Sequence, residues 1–117
     1  MSPAEDGTQQ GEIRATMAST VGGVMTEEVG AVTGELEVAT HSEEGVVEVM
    51  VRYAGAEEWY TVEGSPIVVD GPGGLSESEL RELHERVVRR LTSPGPIVDG
   101  NEQATSLLGF SPIAGDR

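Results

Sequence analysis

The chain has 117 residues, a formal net charge of −14 and no cysteine, and all seven of its basic residues are arginines. A chain of this length predicts one domain with a modest core. The lack of cysteine excludes a disulfide framework, a thiolate nucleophile and a cysteine-based zinc site. The acidic charge disfavours nucleic acid and anionic membranes as partners, because positively charged side chains supply much of the affinity for both.

No run of apolar residues approaches the roughly 20 that a membrane-spanning helix needs. The segment from Met1 to Gln10 also lacks the basic and apolar stretches of a secretory signal. We therefore expect a soluble protein of the cytoplasm.

Residues 1–33 are rich in Gly, Ala, Thr and Ser, with scattered valine and methionine. The pair Gly22-Gly23 and the later Gly30 argue against a continuous helix. This composition predicts a flexible or partner-ordered arm, with a short element between Ile13 and Val21.

Strand patterning begins after Gly34 and continues to about residue 69. Alternating apolar and polar residues predict strands at 35–40 and 47–53, joined by a polar hairpin loop. Aromatic and β-branched residues predict a third strand at 59–63, and residues 67–69 form a possible short fourth strand. Such a series predicts a small antiparallel sheet.

Trp59 and Tyr60 are neighbours in the third strand and must point to opposite faces of the sheet. If Trp59 packs with the valines of residues 47–51, Tyr60 is exposed and is a candidate anchor for a partner. A second layer over that face would make Tyr60 structural instead. The sequence leaves both arrangements open.

Residues 76–92 have the signals of an amphipathic helix. Ser76 and Glu79 have the spacing of a capping box. A stripe of apolar residues follows at steps of three and four, formed by Leu80, Leu83, Val87 and Leu91. Pro94 and Pro96 mark the end of the helix.

Four of the arginines lie on this helix, where they give a neutral segment in an acidic chain. Three acid-first pairs are spaced four apart, namely Glu77–Arg81, Glu82–Arg86 and Glu85–Arg89. This spacing predicts that Arg86 and Arg89 pair with glutamates of the helix, leaving Arg90 as the spare cation. The competing hypothesis is that Arg86, Arg89 and Arg90 together recognise an anion.

Two short motifs resemble functional sites but lack part of what each needs. The glycine-rich turn of residues 71–74 has the spacing of the start of a dinucleotide fingerprint, but glutamates in the first turn of the helix would repel a pyrophosphate. His84 and the following glutamate begin like a zinc-binding helix, yet the residue four positions later is Val88. We therefore expect no catalytic residue, no bound metal and no cofactor.

These patterns together predict an α+β fold in which a three- to four-stranded antiparallel sheet packs against one C-terminal helix. The core domain would span residues 34–93, between the arm of residues 1–33 and a Pro/Gly-rich tail of residues 94–117. So small a core is marginally stable, which favours self-association or a protein partner. Candidate partner contacts are Tyr60 and Arg90, together with the apolar knot of the tail formed by Leu107, Leu108 and Phe110.

The most direct functional hypothesis is a small acidic, non-enzymatic interaction module that acts as an accessory, adaptor or assembly subunit. One alternative is an acidic inhibitor, such as an antitoxin or a mimic of nucleic acid, that binds a basic partner. Another is a peptide precursor whose tail is processed.

Overall fold

A computed structural model describes residues 8–9, 11–69 and 75–112 of the chain. The described residues form ten β-strands and one α-helix. In chain order these are β1 (Thr8–Gln9), β2 (Glu12–Ala18), β3 (Val24–Thr26), β4 (Gly30–Val32), β5 (Glu35–Glu43), β6 (Val46–Tyr53), β7 (Tyr60–Thr61), β8 (Ile67–Val68), α1 (Glu77–Thr92), β9 (Ile97–Val98) and β10 (Asn101–Glu102). The predicted α+β class, with an antiparallel sheet and one C-terminal helix, is confirmed.

The main sheet has six strands, where the sequence predicted three or four. Its order is β1-β2-β5-β6-β7, and β8 pairs with the other end of β6. The long β5–β6 hairpin closes through Glu44 and Gly45, which both have positive φ, at 41° and 90°. Such a two-residue turn matches the twist of the paired strands, so both strands extend into the predicted loop.

Alternation along the strands gives the sheet one apolar face, and α1 covers it. The buried residues of α1 are the predicted stripe plus His84. The imidazole Nδ1 of His84 lies 2.8 Å from the hydroxyl of Thr40 on β5, which places the helix over this face. The capping box is present, because Ser76 Oγ accepts from the Glu79 amide and the Glu79 carboxylate accepts from the Ser76 amide. No helix among the described residues is long and apolar enough to cross a membrane.

The described part of residues 1–33 belongs to the folded domain, so the boundary predicted at residue 34 is wrong. All seven residues of β2 pair with β5. The β3–β4 hairpin adds Val24 and Val32 to the core, and Thr26 forms a bridge to Val62. These strands are short and separated by glycine-rich turns, so their stability comes from pairing with residues distant in sequence rather than from local pattern.

Glu28 fastens the turn between β3 and β4 to the main sheet. Its carboxylate accepts two hydrogen bonds from Thr61, one from the hydroxyl and one from the amide, each 2.8 Å long. These bonds, chiefly that from the hydroxyl, hold the pKa of Glu28 below its ordinary value because they favour the charged form.

The described part of the tail also packs on the domain, so the boundary predicted at residue 94 is wrong as well. Thr105 is buried and bridges β3 at Val24, and its hydroxyl lies 3.2 Å from the carbonyl of Leu91 at the end of α1. Leu107 is in the core, and its amide donates to the carbonyl of Glu63. The tail lacks a periodic pattern because its contacts are single side chains inserted between two other elements.

Candidate functional site

The second face of the main sheet has no described helix or strand over it. We call it the open face and define it by three strands, whose side chains point away from α1. These side chains are Glu12, Arg14 and Thr16 of β2, Glu37, Ala39 and His41 of β5, and Glu48, Met50 and Arg52 of β6.

Trp59 lies across the open face. Its ring centroid is 4.5 Å from the guanidinium carbon of Arg52 and 5.3 Å from that of Arg14. Because these arginines lie on β6 and β2, with β5 between them, the ring extends over the middle strand. This position explains why Ala39 on β5 is only 8% exposed although no described strand or helix covers it.

Carboxylates hold both arginines in place beside the indole. Arg52 forms an ion pair with Glu37 at 2.7 Å, and Arg14 forms one with Glu12 at 2.6 Å. Cations beside an aromatic ring add electrostatic attraction to the contact. The indole is therefore held beside two arginines that are themselves fixed by ion pairs.

A concavity of about 260 Å³ adjoins Trp59 on the open face. Ala39 and Met50 provide apolar lining, while Glu12, Glu48 and His41 add polar groups. The Nδ1 atom of His41 is buried and forms no hydrogen bond with the described residues, although it lies 3.6 Å from a carboxylate oxygen of Glu12. This side of the indole thus combines an apolar floor with carboxylates and one unsatisfied imidazole nitrogen.

The structure places Tyr60 on the covered side of the sheet, which resolves the alternative that the sequence left open. Tyr60 pairs with Val51 on β6 and packs against the core. Loss of water around its hydroxyl raises the pKa of Tyr60, with a further contribution from the charge of Glu58. Trp59 is the aromatic residue of the open face. The sequence does not reveal this, because the loop before β7 determines the register in which β7 pairs with β6.

A second concavity, of about 500 Å³, lies between the end of α1 and the tail. We call it the arginine groove, and its lining is Arg86, Arg89, Arg90, Ser93, Gly109, Phe110 and Ser111. Arg90 donates to the carbonyl of Leu108 at 2.6 Å, and Arg86 donates to that of Ser111 at 2.8 Å. The guanidinium of Arg86 also lies 4.9 Å from the ring centroid of Phe110.

These contacts correct the predicted role of the helix arginines. Among the described ion pairs there is none within 4 Å for Glu82–Arg86 or Glu85–Arg89. Arg90 is not a spare cation, because it binds the tail. Backbone carbonyls of the tail approach the helix closely enough to compete with the neighbouring glutamates, whose side chains remain in water.

The three residues of the apolar knot lie in different environments. Leu107 is 2% exposed and belongs to the core, so it cannot contact a partner of the folded protein. Leu108 is 58% exposed, and Phe110 is half-buried at the edge of the arginine groove. Leu108, Phe110 and Arg90 therefore lie close together, while Tyr60 does not line the arginine groove.

His84 is buried against the sheet, where its imidazole lies beside the hydroxyl of Thr40, and this is the environment of a structural histidine rather than of a metal ligand. Burial lowers the pKa of His84, Arg81 lowers it further, and Glu85 opposes the shift. Among the residues that the structure describes, no group of three His, Asp or Glu side chains is arranged to hold a metal ion.

Comparison of the chain with protein-family models, with curated proteins and with solved structures finds no match. The open face and the arginine groove are therefore the two candidate sites of the described residues.

Proposed function

We propose that this protein is a small acidic, non-enzymatic interaction module that docks another protein on its open face. The observation that carries the proposal is Trp59, held across an uncovered sheet by Arg14 and Arg52. Tryptophan is enriched among the residues that dominate binding energy at protein interfaces. An indole that is already fixed loses little conformational freedom when a partner packs on it.

The charge on the open face favours a partner that presents basic groups beside an apolar contact. Arg14 and Arg52 are each neutralised by a carboxylate, while Glu48 is exposed beside the concavity. A lysine or arginine of the partner would be attracted by this excess of negative charge and by the chain's net charge of −14.

The same excess of carboxylates supports a second candidate function, an acidic inhibitor that covers a basic site on its target. The two functions differ in their response to salt. An inhibitor of a basic site would lose affinity steeply as salt is raised, whereas docking dominated by the indole would not.

The peptide-precursor alternative has less support. Removal of the tail from residue 94 onward would take two buried residues, Thr105 and Leu107, out of the domain.

The test compares Trp59→Ala with a control, Tyr53→Ala, which removes a partly exposed aromatic ring at the end of β6. Tagged forms of the wild type and both variants are used to capture partners from a native extract, and captured proteins are identified by mass spectrometry. We expect one partner to be lost with Trp59→Ala and retained with Tyr53→Ala. With that partner purified, Trp59→Ala should weaken binding by about thirtyfold, the loss typical of an interface hot spot.

Circular dichroism and the melting temperature confirm that each variant is folded before binding is compared. Equal capture by the wild type and Trp59→Ala would rule out the open face as the docking surface. Titration of salt in the binding assay then separates the adaptor from the inhibitor.

A further inference from the structure

Three arginines of the groove have no carboxylate partner among the residues that the structure describes, although the chain is strongly acidic. Arg14 and Arg52 on the open face each form an ion pair below 3 Å. In contrast, no described carboxylate lies within 4 Å of the guanidinium groups of Arg86, Arg89 or Arg90. The arginine groove therefore brings together three guanidinium groups that have no described carboxylate within 4 Å, on a molecule that is acidic overall.

The groove is also organised before any ligand binds. Arg86 and Arg90 each use one guanidinium nitrogen to hold a tail carbonyl, which fixes their position and leaves other N–H groups unused. No described group forms a hydrogen bond or ion pair with the guanidinium of Arg89. An arginine held in place loses less entropy on binding, and its planar fork matches the two oxygens of a carboxylate.

Apolar surface borders these charges. Phe110 lines the groove, and Leu108, whose carbonyl accepts from Arg90, is largely exposed. A free phosphate ion would use only the arginines, whereas a polypeptide segment can fill both parts of the groove. The volume of about 500 Å³ accommodates more than one side chain.

We propose that the arginine groove binds a segment of a partner protein in which a glutamate or aspartate stands beside an apolar residue. The carboxylate accepts hydrogen bonds from Arg89 and its neighbours, and the apolar residue packs on Phe110 and Leu108. The groove shares no residue with the open face, so this second binding site does not depend on the docking proposed for Trp59.

The test uses two short fluorescent peptides, one of alternating glutamate and leucine and one with glutamine in place of glutamate. Fluorescence anisotropy measures their binding to the full-length protein at low and at physiological salt. We expect binding of the glutamate peptide, binding at least tenfold weaker for the glutamine peptide, and a loss of affinity as salt rises.

Two variants of the protein locate the binding site. Arg89→Gln removes a guanidinium that has no hydrogen bond or ion pair among the described residues, and it should weaken binding of the glutamate peptide by about threefold to fivefold, as expected for an exposed charge pair. Arg81→Gln makes the same change of charge on the same helix but outside the groove, and its affinity for the glutamate peptide should stay within twofold of the wild-type value. Trp59→Ala should bind the peptide as the wild type does, even if it fails to capture a partner on the open face.

Several results would overturn the proposal. Equal binding of the two peptides would exclude carboxylate recognition. An equal loss with Arg81→Gln and Arg89→Gln would show only a response to net charge. Self-association without peptide that is abolished by Arg89→Gln, measured by sedimentation, would assign the groove to a second copy of this chain instead.

Discussion

Leu107 provides the most direct test of how the tail contributes to the fold. Its side chain is 2% exposed within the core cluster, although it lies in a segment without periodic pattern. Leu107→Ala removes the equivalent of about three methylene groups from this environment, for a transfer cost of roughly 2.4 kcal/mol. Unfilled space adds to this, so we expect the free energy of unfolding to fall by about 2–4 kcal/mol.

The neighbouring Leu108 provides the matched control. It is 58% exposed, and Leu108→Ala removes the same atoms one position away. This control should change stability by less than about 0.5 kcal/mol. Urea unfolding followed by far-ultraviolet circular dichroism measures both variants, and Leu107→Ala should also lower the melting temperature by roughly 10 °C or more.

Equal unfolding midpoints for Leu107→Ala and Leu108→Ala would refute the prediction that Leu107 stabilises the core. That result would mean that residues after α1 do not contribute to the cooperative unit. A lower m-value for Leu107→Ala alone would instead indicate that less surface becomes exposed in the transition.

Further predictions concern close packing and pH. Gly64→Ala should destabilise the protein by more than about 2 kcal/mol, because an added Cβ would lie 2.5 Å from the backbone carbon of Leu107. The control Gly55→Ala also has a positive φ, but no atom lies within 4 Å of the added Cβ, so it should destabilise the protein by only about 1 kcal/mol. Urea unfolding measures both variants. Since burial lowers the pKa of His84 in the folded state, the unfolded chain binds a proton first as pH falls below 6.5, so stability should decline from there down to the folded pKa. His84→Gln should remove that part of the decline, and identical slopes for the wild type and His84→Gln between pH 7 and 5 would contradict this assignment.

Helix α1 and strand β6 show which features can be predicted from local sequence. The capping box of Ser76 and Glu79 acts within one helical turn, and the apolar stripe follows the period of the helix. In β6, the valine alternation gives the correct buried face without knowledge of any partner strand. Both predictions succeeded because the interactions that decide them lie within a few residues.

The sequence predicted a short element between Ile13 and Val21 but did not identify it as a strand, although a signal for β2 is present. Ile13, Ala15 and Met17 alternate with polar residues on β2, but the neighbouring glycine-rich sequence obscured this period of two. The strand is stabilised by pairing with β5, whose paired residues lie 17 to 29 positions away along the chain. Pairing over that separation depends on loop closure and on complementary faces, neither of which the local pattern reveals.

The sequence by itself determined the α+β class, the acidic charge, the extent of α1 and the buried face of β6, because each follows from composition or from periodicity over one element. The tertiary structure alone decided which aromatic residue lies on the open face, since the loop before β7 sets the register that turns Trp59 outward and Tyr60 inward. It also decided that Arg86 binds the tail rather than Glu82, and that Arg90 binds the tail as well. Spacing along a helix shows which side chains are close enough to form an ion pair, but only the packed chain shows which acceptor each arginine binds.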